Sequence, residues 1–123
     1  MYEISAVQIN VHDMDEALDF YCGKLGFEED LKDHYPQVVT LKNEGFFLLL
    51  TRVEEKAELH YPVQSQTLIN FRVRENLENL VDKLKSNGVK FLNSKPEPCP
   101  VGVYIPFKDP SGNVHEFVEF REG

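Results

Sequence analysis

Tryptophan is absent, cysteine occurs only twice, and no apolar run approaches the roughly 20 residues that a membrane-spanning helix needs. The missing indole leaves any stacking against a flat ligand to nine Phe and five Tyr. Cys22 and Cys99 form no CxxC pair and no metal-ligand cluster with a nearby His. Cys22 falls in a predicted helix, where a buried thiol acts as a small hydrophobe, and reduced cysteines are the expectation. Basic residues are also scarce. Thirteen Lys and Arg stand against 21 Asp and Glu, for a formal net charge of -8. Phosphate recognition needs clustered cations, so a nucleic-acid partner is not expected. The acidic excess reads as a solvated surface, or as attraction for a cationic ligand if the acids line a pocket. Near the N-terminus Glu3 is followed by Asp13, Asp15 and Glu16, which is not the basic-then-apolar pattern of a signal peptide. A cytoplasmic location is therefore the expectation, with no membrane association.

What the chain does have is enough length, 123 residues with 41% hydrophobic content, for one domain with a buried core. It also repeats itself. Shifted by about half its length, Ile9 falls on Phe71, Val11 on Val73, Asp13 on Glu75, Glu16 on Glu78, Leu18 on Leu80 and Gly26 on Gly88. Each copy opens on period-two alternation: Val7, Ile9 and Val11 in the first, Ile69, Phe71 and Val73 in the second. A helix follows. Asp13 and Glu16 are spaced as a capping box, and Ala17, Phe20, Tyr21 and Leu25 form the apolar stripe before Gly26. In the second copy Glu75 or Asn76 starts the helix, Leu77, Leu80, Val81 and Leu84 make the stripe, and Gly88 ends it. Strands are predicted near 28–32, 37–42 and 46–53, with Asn43-Glu44-Gly45 as a hairpin turn. The second copy has strands starting at Lys90 and covering 103–108 and 114–120, the last two joined at Asp109-Pro110-Ser111-Gly112. Pro96, Pro98 and Pro100 confine 95–101 to a loop or a sheet edge. The predicted class is α+β: two tandem βαβββ modules, about 1–56 and about 67–123, joined by a linker at about 57–66 and forming a cupped mixed sheet.

Two segments carry a family resemblance. Val11-His12-Asp13-Met14-Asp15-Glu16-Ala17-Leu18-Asp19-Phe20-Tyr21, with Leu25-Gly26-Phe27 after it, is similar to the first-helix signature of the glyoxalase/bleomycin-resistance/dioxygenase (vicinal oxygen chelate) superfamily. Phe107-Lys108-Asp109-Pro110-Ser111-Gly112-Asn113-Val114-His115-Glu116 resembles its closing signature. The resemblance implies that superfamily's fold over nearly the whole chain. Its members include isomerases, dioxygenases, thiol transferases and non-catalytic drug binders, so the fold alone does not choose the function. It also implies a dimer, since members commonly pair or swap modules; isologous pairs are in any case the commonest oligomers.

In metal-dependent members each module supplies two ligands, one from its opening strand and one from its last. The resemblance carries these positions onto Ala6 and Leu49 in the first module and onto Leu68 and Glu116 in the second. A stable divalent site takes three or more well-placed N or O donors, and only Glu116 is one. A register slip of two residues would bring Gln8 and Asn70 to the opening-strand positions. His12, His34, His60 and His115 each read as surface histidines, with His115 on the strand face opposite Glu116. No metal and no cofactor are expected.

Alternation places Gln8, Asn10, Leu68, Asn70 and Arg72 on the cupped side, with Phe47 and Leu49 as apolar lining and Glu116 as the lone acid. Gln8 and Asn70 hold equivalent places. They bind a small polar ligand, or they satisfy each other or a water. Glu116 is the one candidate catalytic residue, either a general base, a partner for a cationic ligand, or a solvated relic. A metal-independent small-molecule binder similar to the bleomycin-resistance branch, sequestering a drug or metabolite, is the first functional reading. The alternatives are a glyoxalase-I-like lyase or extradiol-dioxygenase-like metalloenzyme, a metal-free isomerase using Glu116, and a module without a specific ligand.

Overall fold

The structure, a computed structural model, describes residues 1–58, 60–62 and 67–122. The expected linker falls partly on Leu59 and 63–66, outside the described residues. The chain forms two compact units, Met1–Glu58 and Leu59–Gly123, and the boundary between them lies in that stretch.

The first unit contains β1 (Val7–Val11), α1 (Met14–Leu18), a π-helical turn (Asp19–Lys24), β2 (Glu28–Leu31), β3 (Val38–Asn43) and β4 (Phe46–Arg52). Its sheet has the order β1-β4-β3-β2, with β1 parallel to β4 and the other pairs antiparallel. Ile9, Val11, Val39, Leu41, Leu48 and Leu50 are all buried, while the residues alternating with them on β1 and β4 are more exposed. This is the period-two signature of a sheet covered on one face. Tyr21 and Phe20 are buried and meet edge to face, and Tyr21 stacks on Phe27. The helix begins where expected. The Asp13 carboxylate accepts the Glu16 N–H at 3.1 Å and satisfies a backbone donor that the first turn leaves orphaned. Asp13→Ala is expected to cost about 1 kcal/mol of unfolding free energy, read from the urea midpoint. The helix departs from the expected α geometry after Leu18. The Leu25 N–H reaches back to the Phe20 carbonyl, the five-residue step of a π turn. The hairpin at Glu44-Gly45 has φ of 41° and 89°, the left-handed pair that a two-residue turn matched to strand twist demands.

The second unit repeats the plan with β5 (Asn70–Arg72), α2 (Leu77–Ser86), β6 (Lys90–Phe91), β7 (Glu97–Cys99), β8 (Gly102–Lys108) and β9 (Val114–Phe120). The order β5-β9-β8-β6 copies that of the first sheet, with β5 parallel to β9. The proline-rich stretch is an edge strand. β7 pairs with the Gly102 end of β8 while β6 pairs with its Lys108 end, so one edge lane is divided in two. Asn76 caps α2 by accepting the Asn79 N–H at 2.9 Å. The Asp109 carboxylate ties the β8–β9 turn, accepting the Ser111 and Asn113 backbone N–H groups at 2.9 and 2.8 Å.

On β9, side chains divide cleanly between the two faces. Glu119 accepts the Leu77 N–H at 2.9 Å, which marks the face of His115, Phe117 and Glu119 as the helix side. There Phe107 stacks on Phe117 with ring centroids 4.2 Å apart, and Phe71 and Phe91 pack against both. Glu116 and Val118 project from the other face. The architecture is mixed α+β with few helices, the class expected from the sequence, and its strands form two sheets, one in each unit.

Candidate functional site

The register defines the second unit's site. Asn70 lies directly beside Glu116 across the parallel β5–β9 pair, and Arg72 beside Val118. Gln8 lies beside Leu49 in the first unit in the same way. Gln8 with Leu49 and Asn70 with Glu116 are therefore structural equivalents. Leu68 stands two residues before Asn70, and Ala6 two before Gln8, outside the paired strands.

A cavity of about 510 Å³ opens over Glu116. It is lined by Tyr61, Asn70, Pro98, Cys99, Pro100, Val101, Tyr104, Glu116 and Val118. Each wall has a structural cause. Tyr104 pairs with Val118 across β8–β9, which puts it on Glu116's side of the sheet. The divided edge lane brings Pro98 and Cys99 to the rim through β7. Pro100 is anchored by Arg121, which donates to its carbonyl at 2.5 Å. Tyr61 completes the site by donating its O–H to Glu116 Oε2 at 2.5 Å. Burial pushes the Tyr61 phenol well above its ordinary pKa, and the hydrogen bonds and negative charge contributed by Glu116 and Tyr104 add to the rise. Tyr61 is thus a neutral donor across the whole working pH range. Cys99 is a free thiol.

Of the residues expected in the site, Asn70 and Glu116 line this cavity. Leu68 and Arg72 do not. Arg72 shares the Glu116 face, but its guanidinium lies 4.9 Å from the centroid of the Phe120 ring, a cation–π contact at the sheet edge. The remaining candidates belong to the first unit. Gln8, Asn10, Phe47 and Leu49 lie on the face of β1 and β4 opposite the buried residues, and Gln8 donates to the Asn10 side-chain carbonyl at 2.9 Å. That contact engages the Gln8 amide within its own strand.

Two expectations need correction. His115 is not a surface histidine: only 4% of it is exposed, and it lies edge-on to Phe71 and tilted against Phe107. It lies on the face of β9 opposite Glu116, on the side of the Phe71, Phe107 and Phe117 rings. Burial lowers its pKa to about 4, with the Asp109 charge opposing the shift. The stretch expected to be only a linker also contributes to the site through Tyr61. Tyr61 had no signal in the pattern, because a residue in an irregular segment has no period from which to assign a face; Tyr104 lies on the predicted strand β8, but its pairing with Val118, and so its place beside Glu116, is a matter of tertiary register.

A second, smaller cavity of about 330 Å³ lies in the first unit at the start of α1, between His12, Asp15, Tyr35 and Arg52. Tyr35 donates its O–H to the Asp15 carboxylate, which raises the phenol's pKa. The thiol of Cys22 is likewise raised, by burial and by the charge of Glu29.

Metal fit follows from the donor chemistry. Ala6, Leu49 and Leu68 carry no side-chain N or O, and Glu116 is already engaged by Tyr61. Among the described residues no group of three or more His, Cys, Asp or Glu is placed to hold an ion. These positions do not fit a divalent metal. Among the described residues no helix is long and apolar enough to cross a membrane.

Comparison with known proteins agrees with this architecture. The model of the Glyoxalase/Bleomycin resistance protein/Dioxygenase superfamily matches residues 3–117. No curated protein matches the chain. Among solved structures, a member of that superfamily from Sphaerobacter thermophilus is 25% identical with a TM-score of 0.76, covering 97% of this chain and 98% of its own. TnmS3, an antibiotic-binding protein from Streptomyces sp. CB03234, is 20% identical with a TM-score of 0.74, covering 98% of each chain. A lactoylglutathione lyase from Agrobacterium tumefaciens is 20% identical with a TM-score of 0.70, covering 97% of this chain and 94% of its own. At those identities the last two establish a shared fold only.

Proposed function

This chain belongs to the Glyoxalase/Bleomycin resistance protein/Dioxygenase superfamily, and within it we propose a metal-independent small-molecule-binding protein, acting by sequestration from a cytoplasmic location. The cavity over Glu116 carries this reading. Its volume of about 510 Å³ lies within the range of small-molecule sites, roughly 300–1,000 Å³. Proline and valine walls surround a few convergent polar groups, namely Tyr61, Asn70, Tyr104 and Glu116. Such a lining binds by burying apolar surface and orients by hydrogen bonds. The antibiotic-binding neighbour offers a precedent for a binder on this fold.

Metal independence rests on the three positions, Ala6, Leu49 and Leu68, that lack a donor. Elemental analysis of protein purified without an affinity tag, followed by titration with Ni, Zn, Mn and Fe(II), tests it. The expected result is no stoichiometric ion in any titration. One ion per site, lost in Glu116→Ala, would replace this reading with a metalloenzyme. We propose a single domain assembled from the two modules and present in solution as a homodimer, with sedimentation equilibrium as the check.

A second reading is supported by the Tyr61–Glu116 contact. A carboxylate and a neutral phenol in hydrogen-bond contact are a base and an acid within reach of one ligand, as a metal-free isomerase requires. Turnover lost in both Glu116→Ala and Tyr61→Phe, in metal-free buffer, would favour it over sequestration.

A further inference from the structure

We propose that the cavity over Glu116 selects organic cations, taking an ammonium group on an apolar body, with Glu116 as the charge partner and the Tyr61 and Tyr104 rings as its flanks. This rests on the small-molecule reading above and names the ligand class for that site.

Three observations support it. Among the described residues no Lys, Arg or His lines the cavity, so none of them supplies a resident cation to the carboxylate. Two arginines of the same unit have other engagements: Arg72 lies over the Phe120 ring, and Arg121 donates to the Pro100 carbonyl at the cavity's rim. The Tyr61 hydroxyl occupies Oε2 alone, so Oε1 is available to accept a second donor. A primary ammonium at Oε1 would form a charge-assisted hydrogen bond in a partly desolvated site, stronger than a neutral one, and a quaternary ammonium, which has no N–H, would be held there by charge alone. Pro98, Pro100 and Val101 take the apolar body. An anionic ligand would meet the same carboxylate with nothing to compensate it, and like-charge contact is strongly unfavourable.

The experiment compares three probes that share a benzyl group, benzyltrimethylammonium, benzylammonium and the near-isosteric benzyl alcohol, with benzoate as the anionic control. Affinities are measured by calorimetry on the full chain, at low ionic strength with EDTA present. Both ammonium probes are expected to bind at least about tenfold tighter than benzyl alcohol, and benzoate not at all. In Glu116→Gln the preference collapses to about onefold, set by the alcohol's own affinity, while benzyl alcohol still binds. In the wild type, added salt weakens the ammonium probes and spares the alcohol, a readout that needs no variant. Equal affinity for ammonium and alcohol, or a preference that persists in Glu116→Gln or is indifferent to salt, would overturn the cation assignment and leave a neutral binding site standing. Binding of none of the four would count against both the cation and the binding site itself.

Discussion

Replacing Gly102 by alanine is expected to lower the unfolding free energy by about 4 kcal/mol or more, enough to leave a marginally stable domain largely unfolded. The reason is steric. A Cβ built at Gly102 would stand 2.0 Å from the Glu119 carbonyl oxygen and 2.9 Å from the Arg121 nitrogen, both backbone atoms of the neighbouring strand and its exit. No rotamer relieves contact with backbone, so β8 and β9 must part. The Arg121 N–H to Val101 carbonyl bond of 2.7 Å, which closes the cavity's rim, is adjacent to that separation. Gly45→Ala is the contrast. Its added Cβ meets nothing within 4 Å, and only the left-handed φ of 89° opposes it, at about 1 kcal/mol. Urea denaturation of the two variants separates the cases. Comparable losses would show that close strand approach at Gly102 is not what holds the second sheet.

His115 carries the other large effect. In the fold its ring is neutral, with a pKa of about 4 against 6.5 in the unfolded chain. As pH falls from about 6.5 towards about 4, the unfolded chain takes up a proton that the fold refuses. Stability therefore falls by roughly 1.4 kcal/mol per pH unit, about 3 kcal/mol in all, and this contribution levels off once pH passes below the folded value. Above about 6.5 it is absent. Asp109 is the charge that moderates the shift. His115→Phe keeps an aromatic ring among Phe71, Phe107 and Phe117 and removes the proton. Urea midpoints taken between neutral pH and about pH 4 should converge for wild type and variant as pH rises, and should diverge in the variant's favour as it falls. Parallel profiles would mean that the buried imidazole titrates at its ordinary pKa.

The behaviour of His115 also shows how much of this molecule was legible beforehand. Alternation along β9 separates Glu116 from His115 and Phe117, and both faces of the strand are largely covered, with Val114 and Val118 buried on one and His115 and Phe117 on the other. A histidine's polarity suggests the surface, but its place in the alternation, between Val114 and Glu116 and in step with Phe117, is what sets its burial. Caps at Asp13 and Asn76, the Glu44-Gly45 turn and the Asp109 turn were all legible because each rests on local backbone chemistry. The site was legible only where it lies on regular strands. Glu116 and Asn70 come from β9 and β5, whose register follows from the repeat. Tyr61 comes from an irregular stretch, and its approach to Glu116 is a tertiary event without a local pattern. Arg72 was assigned to the correct face but not the correct neighbour, since a long side chain reaches past its own position to the Phe120 ring. The π turn after Leu18 was illegible for a similar reason, because the stripe from Ala17 to Tyr21 suits either helical step.

The most direct test of the account is backbone amide NMR of the full chain, titrated with benzyltrimethylammonium in EDTA. Saturable shifts are expected, centred on Asn70, Val101, Tyr104 and Glu116 and unchanged when EDTA is replaced by Zn or Ni. Shifts that require an added metal ion, or that centre on other residues, would contradict it.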